Sequence, residues 1–302
     1  MEEEASDASR RKDKDMKKIK IDFADFWGGF DKTDNYFYNL LKEDYEVEIS
    51  SNPDVLFFSL FGKENARYRC KKAFYTGENI PPPLKGTSNP FFPNEIRCDW
   101  SFSFDYMDEE RNYRLPHYLL YPGYYELANP KSIDESMAKR KFCNFIVSNG
   151  NCQQRNSFFA KLSRYKKVDS GGRFANNIGY AVNDKRQFQS EYKFSIAFEN
   201  NAYRPQQPGY TTEKIMEPMT VNSIPLYWGN PEIGKEFSTE SFISFYDFAS
   251  EDDMIDYIIE LDKDDSRYMK MLGKPWLEGN SIPESNRIES IKSFLRKIIE
   301  QA

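Results

Sequence analysis

FSIAFENNAYRPQQPGYTTEKIMEPM, Phe194–Met219, with SIPLYWG following at Ser223–Gly229, is the stretch that decides the fold. Phe194–Phe198 is a short apolar run of the kind a buried strand requires, and NNAYRPQQP is rich in turn formers. Thr211-Thr212-Glu213-Lys214 then opens a helix, and Ile224–Trp228 is a second strand. A strand, a helix and a strand in that order form a βαβ unit with parallel strands. Open parallel sheets bind ligands beyond the carboxyl ends of their strands, which is where this loop places a carboxylate, an amide, a phenol and a lysine.

The same alternation extends in both directions. Upstream, strands are expected at KFCNFIVSN (from Lys141) and helices at QRNSFFAKLSRY and NDKRQFQSEY; downstream, a strand at SFISFYDF. A first series begins with KIKIDFADFW at Lys18, a WGGFDKTD turn and the helix NYFYNLLKE. It continues through strands in YEVEI, DVLFFSLFG, KKAFYTGEN and CDWSFSFDY, while RLPHYLLYPGYYELANP lacks clear periodicity and reads as connections. The fold class is therefore α/β, with Rossmann-like domains over 18–140 and 141–302 facing a cleft, and residues 1–17 as a disordered tail. The terminal RIESIKSFLRKIIEQA carries Ile288, Ile291, Leu295, Ile298 and Ile299 on one helical face, which either docks on the protein's own core or lies on a membrane surface.

Composition narrows the function classes. With 302 residues, 20 Tyr and 25 Phe, the chain can bury a large core without disulfides. Its net charge of −6 disfavours a nucleic-acid surface but leaves room for a phosphorylated small molecule. Cys70, Cys98, Cys143 and Cys152 form no CxxC pair, so zinc and redox sites are disfavoured and a reduced cytosolic protein is expected. No apolar run approaches the ~20 residues of a membrane span.

Several residues could carry chemistry. Tyr210, Glu213 and Lys214 fall at a strand-to-helix junction, where free N–H groups favour a phosphate and Lys214 adds a mobile charge; a helix start capped by Thr211 or Thr212 is the equal alternative. Glu213 would repel phosphate and suits sugar hydroxyls instead. Arg155 follows another strand end, where a guanidinium fits two phosphate oxygens or forms a surface ion pair. Glu78 projects from a turn stiffened by Pro81, Pro82 and Pro83, as a general base if partly buried or as an ordinary exposed carboxylate. Gly171-Gly172-Arg173 reads as a plain turn, His117 as a packed imidazole, and Asp262–Asp265 (DKDD) as a solvated helix end with weak metal-site spacing.

Taken together, FYTGEN at Phe74, RNSFF at Arg155, GY at Gly179, YKFSIAFEN at Tyr192, GYTTEK at Gly209 and SIPLYWGNP at Ser223 resemble the α-1,3/4-fucosyltransferases, in their bacterial Helicobacter-type branch. The blocks occur in the family's order over roughly Lys18–Phe248. The resemblance implies a GT-B fold and inverting transfer of fucose from GDP-fucose to the GlcNAc of N-acetyllactosamine or Lewis-type glycans. It implies Glu78 as general base, Arg155 and Lys214 on the diphosphate, and Asn200, Tyr210, Glu213 and Tyr180 completing the donor site. No metal cofactor is required where cations offset the leaving group's charge. The loop NAYRPQQP is longer than the related bacterial pattern. A chain with neither Golgi anchor nor heptad tail points to a bacterial cytosolic enzyme, with peripheral membrane contact left open. Another nucleotide sugar, α-1,4 linkage or a non-catalytic glycan-binding protein are the alternatives.

Overall fold

The structure, a computed structural model, describes residues 16–80, 83, 97–107, 110–200 and 208–302. Two parallel sheets divide the chain as the alternation predicts. The first holds β1 (Lys18–Ala24), β2 (Glu46–Ile49), β3 (Val55–Phe58), β4 (Lys71–Tyr75), β5 (Trp100–Ser103) and β6 (Asn112–Arg114), in the order β2-β1-β3-β4-β5-β6. The second holds β7 (Lys141–Phe145), β8 (Val168–Ser170), β9 (Tyr192–Phe198), β10 (Ile224–Trp228) and β11 (Ile243–Ser244), in the order β11-β10-β9-β7-β8. This is the GT-B arrangement, two Rossmann-like domains around a cleft.

Helix α1 (Tyr36–Leu41) begins where the Asn35 side chain accepts the Tyr38 N–H at 3.0 Å. A short α2 (Gly123–Glu126) precedes the crossing between sheets, and α3 (Gln153–Tyr165), α4 (Lys185–Gln189) and α5 (Glu213–Met219) serve the second sheet. Every residue of β9 is buried, as a central strand covered on both faces must be. Its register with β10, Phe194 beside Ile224 through Phe198 beside Trp228, aligns the two strand ends and so sets where the loop beyond Phe198 emerges.

Two elements went unseen in the sequence. β6 ends at Arg114, the first residue of the segment assigned to connections, and β8 lies just before Gly171. Each has three residues, too few for alternation to register. Conversely, SFISFYDF yields only the two-residue β11 before a 3₁₀ turn at Phe245–Asp247.

After β11 come α6 (Glu251–Lys263), α7 (Asp265–Leu272) and the terminal α8 (Ile288–Glu300). Helix α8, grouped by sequence with the second domain, packs on the first. Phe294 lies 5.6 Å from Trp100, 5.3 Å from Phe102 and 5.1 Å from Tyr113, ring to ring. Lys292 sits 3.0 Å from Asp44 and 3.1 Å from Glu43, beyond the end of α1. Its apolar stripe finds a home in the protein core, with Ile291, Leu295 and Ile298 almost fully buried. Among the described residues no helix is long and apolar enough to cross a membrane.

The two halves also meet beneath the cleft. Arg114, the last residue of β6, donates to Glu236 Oε1 at 2.6 Å and to the Gly209 carbonyl at 3.2 Å. The same Glu236 oxygen accepts from Tyr106 at 2.8 Å and from Asn230 at 2.6 Å, while Asn230 Oδ1 accepts the Gly209 N–H at 2.8 Å. Gly209 has φ +89°, and a Cβ there would stand 2.4 Å from the Phe104 carbonyl. The glycine that opens GYTTEK is therefore required by the contact between domains as well as by its turn.

Candidate active site

The residues just beyond β9, Glu199 and Asn200, are held from two sides. On one side stands Arg155, in the first turn of α3 and only 1% exposed. Its guanidinium donates to the carbonyls of Asn149 at 2.6 Å and Phe198 at 3.4 Å, and reaches Asn200 Oδ1 at 3.5 Å. On the other side is Lys214, in the first turn of α5, with Nζ 3.2 Å from Glu199 Oε2 and 2.8 Å from the Thr212 hydroxyl. A run of three residues at one strand end thus draws together the two cations that the sequence singled out.

The cations differ in how their charge is met. Burial pulls the Lys214 ammonium down, but the Glu199 and Glu213 carboxylates more than reverse this and lift it to about 12. Arg155 is shifted down by burial, with Cys152 and Glu199 opposing, and its Nε is buried without a partner among the described residues. A guanidinium stays protonated regardless. A buried cation short of hydrogen-bond acceptors is costly, so this end of the site is suited to an anionic group.

Glu199 was missed in the sequence candidates although it lies within FEN. It is fully buried and accepts the Thr212 N–H at 2.7 Å, the Thr212 hydroxyl at 2.8 Å and the Lys214 ammonium. Consequently the threonine cap, the alternative reading of this junction, is not made: Thr212 occupies the N-cap position of α5 with no side-chain capping bond. The signal was a carboxylate at the end of a continuous apolar run, since such a group must find a cation or donors once buried.

Glu213 places Oε1 3.6 Å from Lys214 and Oε2 3.8 Å from His117 Nε2. Burial would raise this carboxyl, yet Lys214, His117 and Lys185 outweigh it and hold the group below the usual carboxylate range. His117 is a packed imidazole as expected, 2.9 Å from the Tyr75 hydroxyl and 3.1 Å from that of Tyr121. Burial keeps it below the usual histidine value, so it is neutral near pH 7.

Tyr210 is buried, its phenol shifted well up by burial, and its hydroxyl donates to the Gly77 carbonyl at 3.4 Å. It thereby brings the second domain against the turn that carries Glu78. Glu78 is exposed rather than partly buried; its N–H donates to the Thr76 hydroxyl at 3.1 Å. Pro81 and Pro82 beyond it, and most of the loop NAYRPQQP, lie outside the described residues.

Three other sequence candidates remain. Tyr180 is 57% exposed, in the loop between β8 and α4. Its loop folds back on itself through Asn176, which donates to the Gly172 and Tyr180 carbonyls. Gly172 lies against the Val147 backbone, which leaves no room there for a ligand. The DKDD run is solvated only in part: Lys263 is exposed, but Asp262 is buried and takes Lys193 at 3.1 Å, Lys166 at 2.9 Å and Tyr165 at 3.0 Å. Asp264 caps α7 instead of facing a metal.

Comparison with known proteins identifies the family. Residues 21–121 match the family model of the alpha-(1,3)-fucosyltransferase FucT N-terminal domain, and residues 136–291 match glycosyltransferase family 10 (fucosyltransferase), C-terminal. The chain is 30% identical over 330 aligned positions to the alpha-(1,3)-fucosyltransferase FucT of Helicobacter pylori, which covers 93% of this chain and 66% of that relative. A Bos taurus relative, 3-galactosyl-N-acetylglucosaminide 4-alpha-L-fucosyltransferase FUT3, is 32% identical over 136 positions, 44% of this chain and 36% of its own length. The crystal structure of an alpha1,3-fucosyltransferase with GDP superposes with a TM-score of 0.78 at 28% identity, covering 95% of this chain and 92% of that one. The same enzyme type with GDP-fucose gives 0.77 at 28% identity, with the same coverage.

Proposed function

Because the chain belongs to the family 10 fucosyltransferases, we propose that it transfers fucose from GDP-fucose to the GlcNAc of N-acetyllactosamine or Lewis-type glycans, forming an α-1,3 linkage with inversion. The observation that carries this reading is the convergence of Arg155 and Lys214 on the end of β9, with Tyr210, four residues before Lys214, touching the turn of Glu78. In the proposed step Glu78 removes the proton of the acceptor hydroxyl as its oxygen bonds to the fucosyl C1. The C1–O bond to the diphosphate breaks, and GDP leaves with the electron pair. Arg155 and Lys214 offset the charge that develops on that diphosphate, so the step as written needs no metal. Lys214 would exchange part of its hold on Glu199 for a phosphate oxygen. Asn200, Tyr210 and Glu213 line the donor side, with Glu213 accepting from sugar hydroxyls.

The exposed setting of Glu78 leaves its carboxylate open to an incoming acceptor hydroxyl. The test is transfer from GDP-fucose to N-acetyllactosamine with EDTA present, the product linkage being read by NMR. An α-1,3 product supports the whole reading, and an α-1,4 product corrects the regiochemistry. Loss of turnover that returns with added divalent cation corrects the metal-free step. Binding of GDP-fucose without turnover removes the acceptor assignment, and no binding removes the donor assignment.

A further inference from the structure

A cavity of about 340 Å³ opens at the carboxyl ends of β1 and β4, apart from the Arg155–Lys214 cluster. Phe26, Trp27 and Phe30 form one wall. Phe26 and Phe30 stack at 4.1 Å between centroids, and Trp27 stands edge-on to them at 5.6 Å and 5.2 Å. The buried Phe23 holds this group from below, 5.4 Å from Phe30. Trp27 nevertheless remains 44% exposed at the cavity.

The rim is acidic and open to solvent. Asp31 uses Oδ1 to accept the Thr33 N–H, the Thr33 hydroxyl and the Asp34 N–H; Asp34 uses Oδ1 to accept from Asn39. The second oxygen of each carboxylate has no bond among the described residues. Aromatic faces beside outward carboxylate acceptors match the two sides of a pyranose ring, one face of C–H groups and an edge of hydroxyl donors. A phosphorylated or carboxylated ligand would meet two like charges at this rim.

The far wall ties the cavity to the proposed chemistry. It contains Tyr75, His117 and Tyr121, joined through the imidazole. A Cβ on Gly77 would stand 2.9 Å from His117 Nδ1, so the turn that carries Glu78 rests directly on that wall. The cavity and the turn of Glu78 are separated by one side chain.

The geometry points to this cavity as a second sugar subsite, taking the hexopyranose next to the one that receives fucose, here the galactose of N-acetyllactosamine. Its C–H face stacks on Trp27 and its hydroxyls donate to Asp31 and Asp34. This rests on the transferase reading, but binding tests it separately.

The experiment is Trp27→Ala, with Trp27→Phe as the conservative control, measured against N-acetyllactosamine and a GlcNAc monosaccharide glycoside at saturating GDP-fucose. Trp27→Ala should raise KM for the disaccharide roughly tenfold and leave kcat/KM for the monosaccharide within about twofold, with Phe restoring most of the loss. Equal losses on both acceptors, or none on either, overturn the subsite. Saturation-transfer NMR on N-acetyllactosamine supplies the readout independent of turnover. Saturation of galactose protons in the wild type that disappears in Trp27→Ala upholds the subsite even if no fucose is transferred, when only the transferase reading falls. Absence of galactose saturation in the wild type, or its persistence in Trp27→Ala, overturns it.

Discussion

Glu199 and Glu213 both flank Lys214, yet only one of them faces the cleft at His117. Glu199 is buried and committed to Thr212 and Lys214, whereas Glu213 reaches across to the first domain. That division was illegible in FEN and GYTTEK, because it depends on which carboxylate the end of β9 turns inward. Glu78 is the residue with the fewest ties, and its replacement gives the cleanest test. Glu78→Gln should lower kcat by about 10²–10⁴ and leave GDP affinity unchanged in calorimetry; a marked loss of affinity would move Glu78 into the donor site. Lys131 offers a pH test. Its ammonium lies 3.1 Å over the Trp276 ring and donates to the Leu272 carbonyl at 2.8 Å, and burial pulls it down to about 7. Between about 7 and the ordinary lysine value of 10.5 the unfolded chain binds the proton more tightly, so stability rises with pH across that window. In Lys131→Met that slope should flatten, the variant gaining most over the wild type at pH 7 and least near pH 10 in urea denaturation.

At the scale of elements, the terminal helix shows what periodicity can and cannot say. The spacing of Ile291, Leu295 and Ile298 required an apolar contact, but a stripe of aliphatic side chains does not specify the surface that will cover it. The structure covers it by crossing back to the first sheet, beside Phe294's contacts with Trp100 and Phe102. Leu295→Ala should cost about 3 kcal/mol, the lower part of the range for a buried leucine, read as a shift in the urea midpoint. An unchanged midpoint would mean that the helix is not docked. The three-residue strands β6 and β8 escaped for a different reason: the sheet stabilises them through their neighbours, and too little of their own pattern exists to announce them.

Across the whole molecule, one polar joint between the domains centres on Glu236. Glu236 is 6% exposed and binds Arg114 from the first domain and Asn230 from the second. Glu236→Ala would leave Arg114 without its carboxylate, and breaking such a pair typically costs about 3–5 kcal/mol. The expected outcome is a lower urea midpoint together with a weakened KM for both substrates, since the cleft loses its fixed spacing. Unaltered stability and kinetics would show that the spacing of the domains does not depend on this carboxylate.

By itself the sequence determined the alternation of strands and helices, the division into two parallel sheets and the blocks that place Arg155, Asn200, Tyr210, Glu213 and Lys214 near strand ends. These are consequences of local periodicity, turn chemistry and motif order, which a linear chain displays. Tertiary structure alone decided that Glu199 holds Lys214, that Asp262 is buried beneath Lys193, and that the last helix returns to the first domain. Each of those depends on which buried charge or apolar face meets which partner far along the chain, and that is settled only when the burial costs of all of them are balanced together.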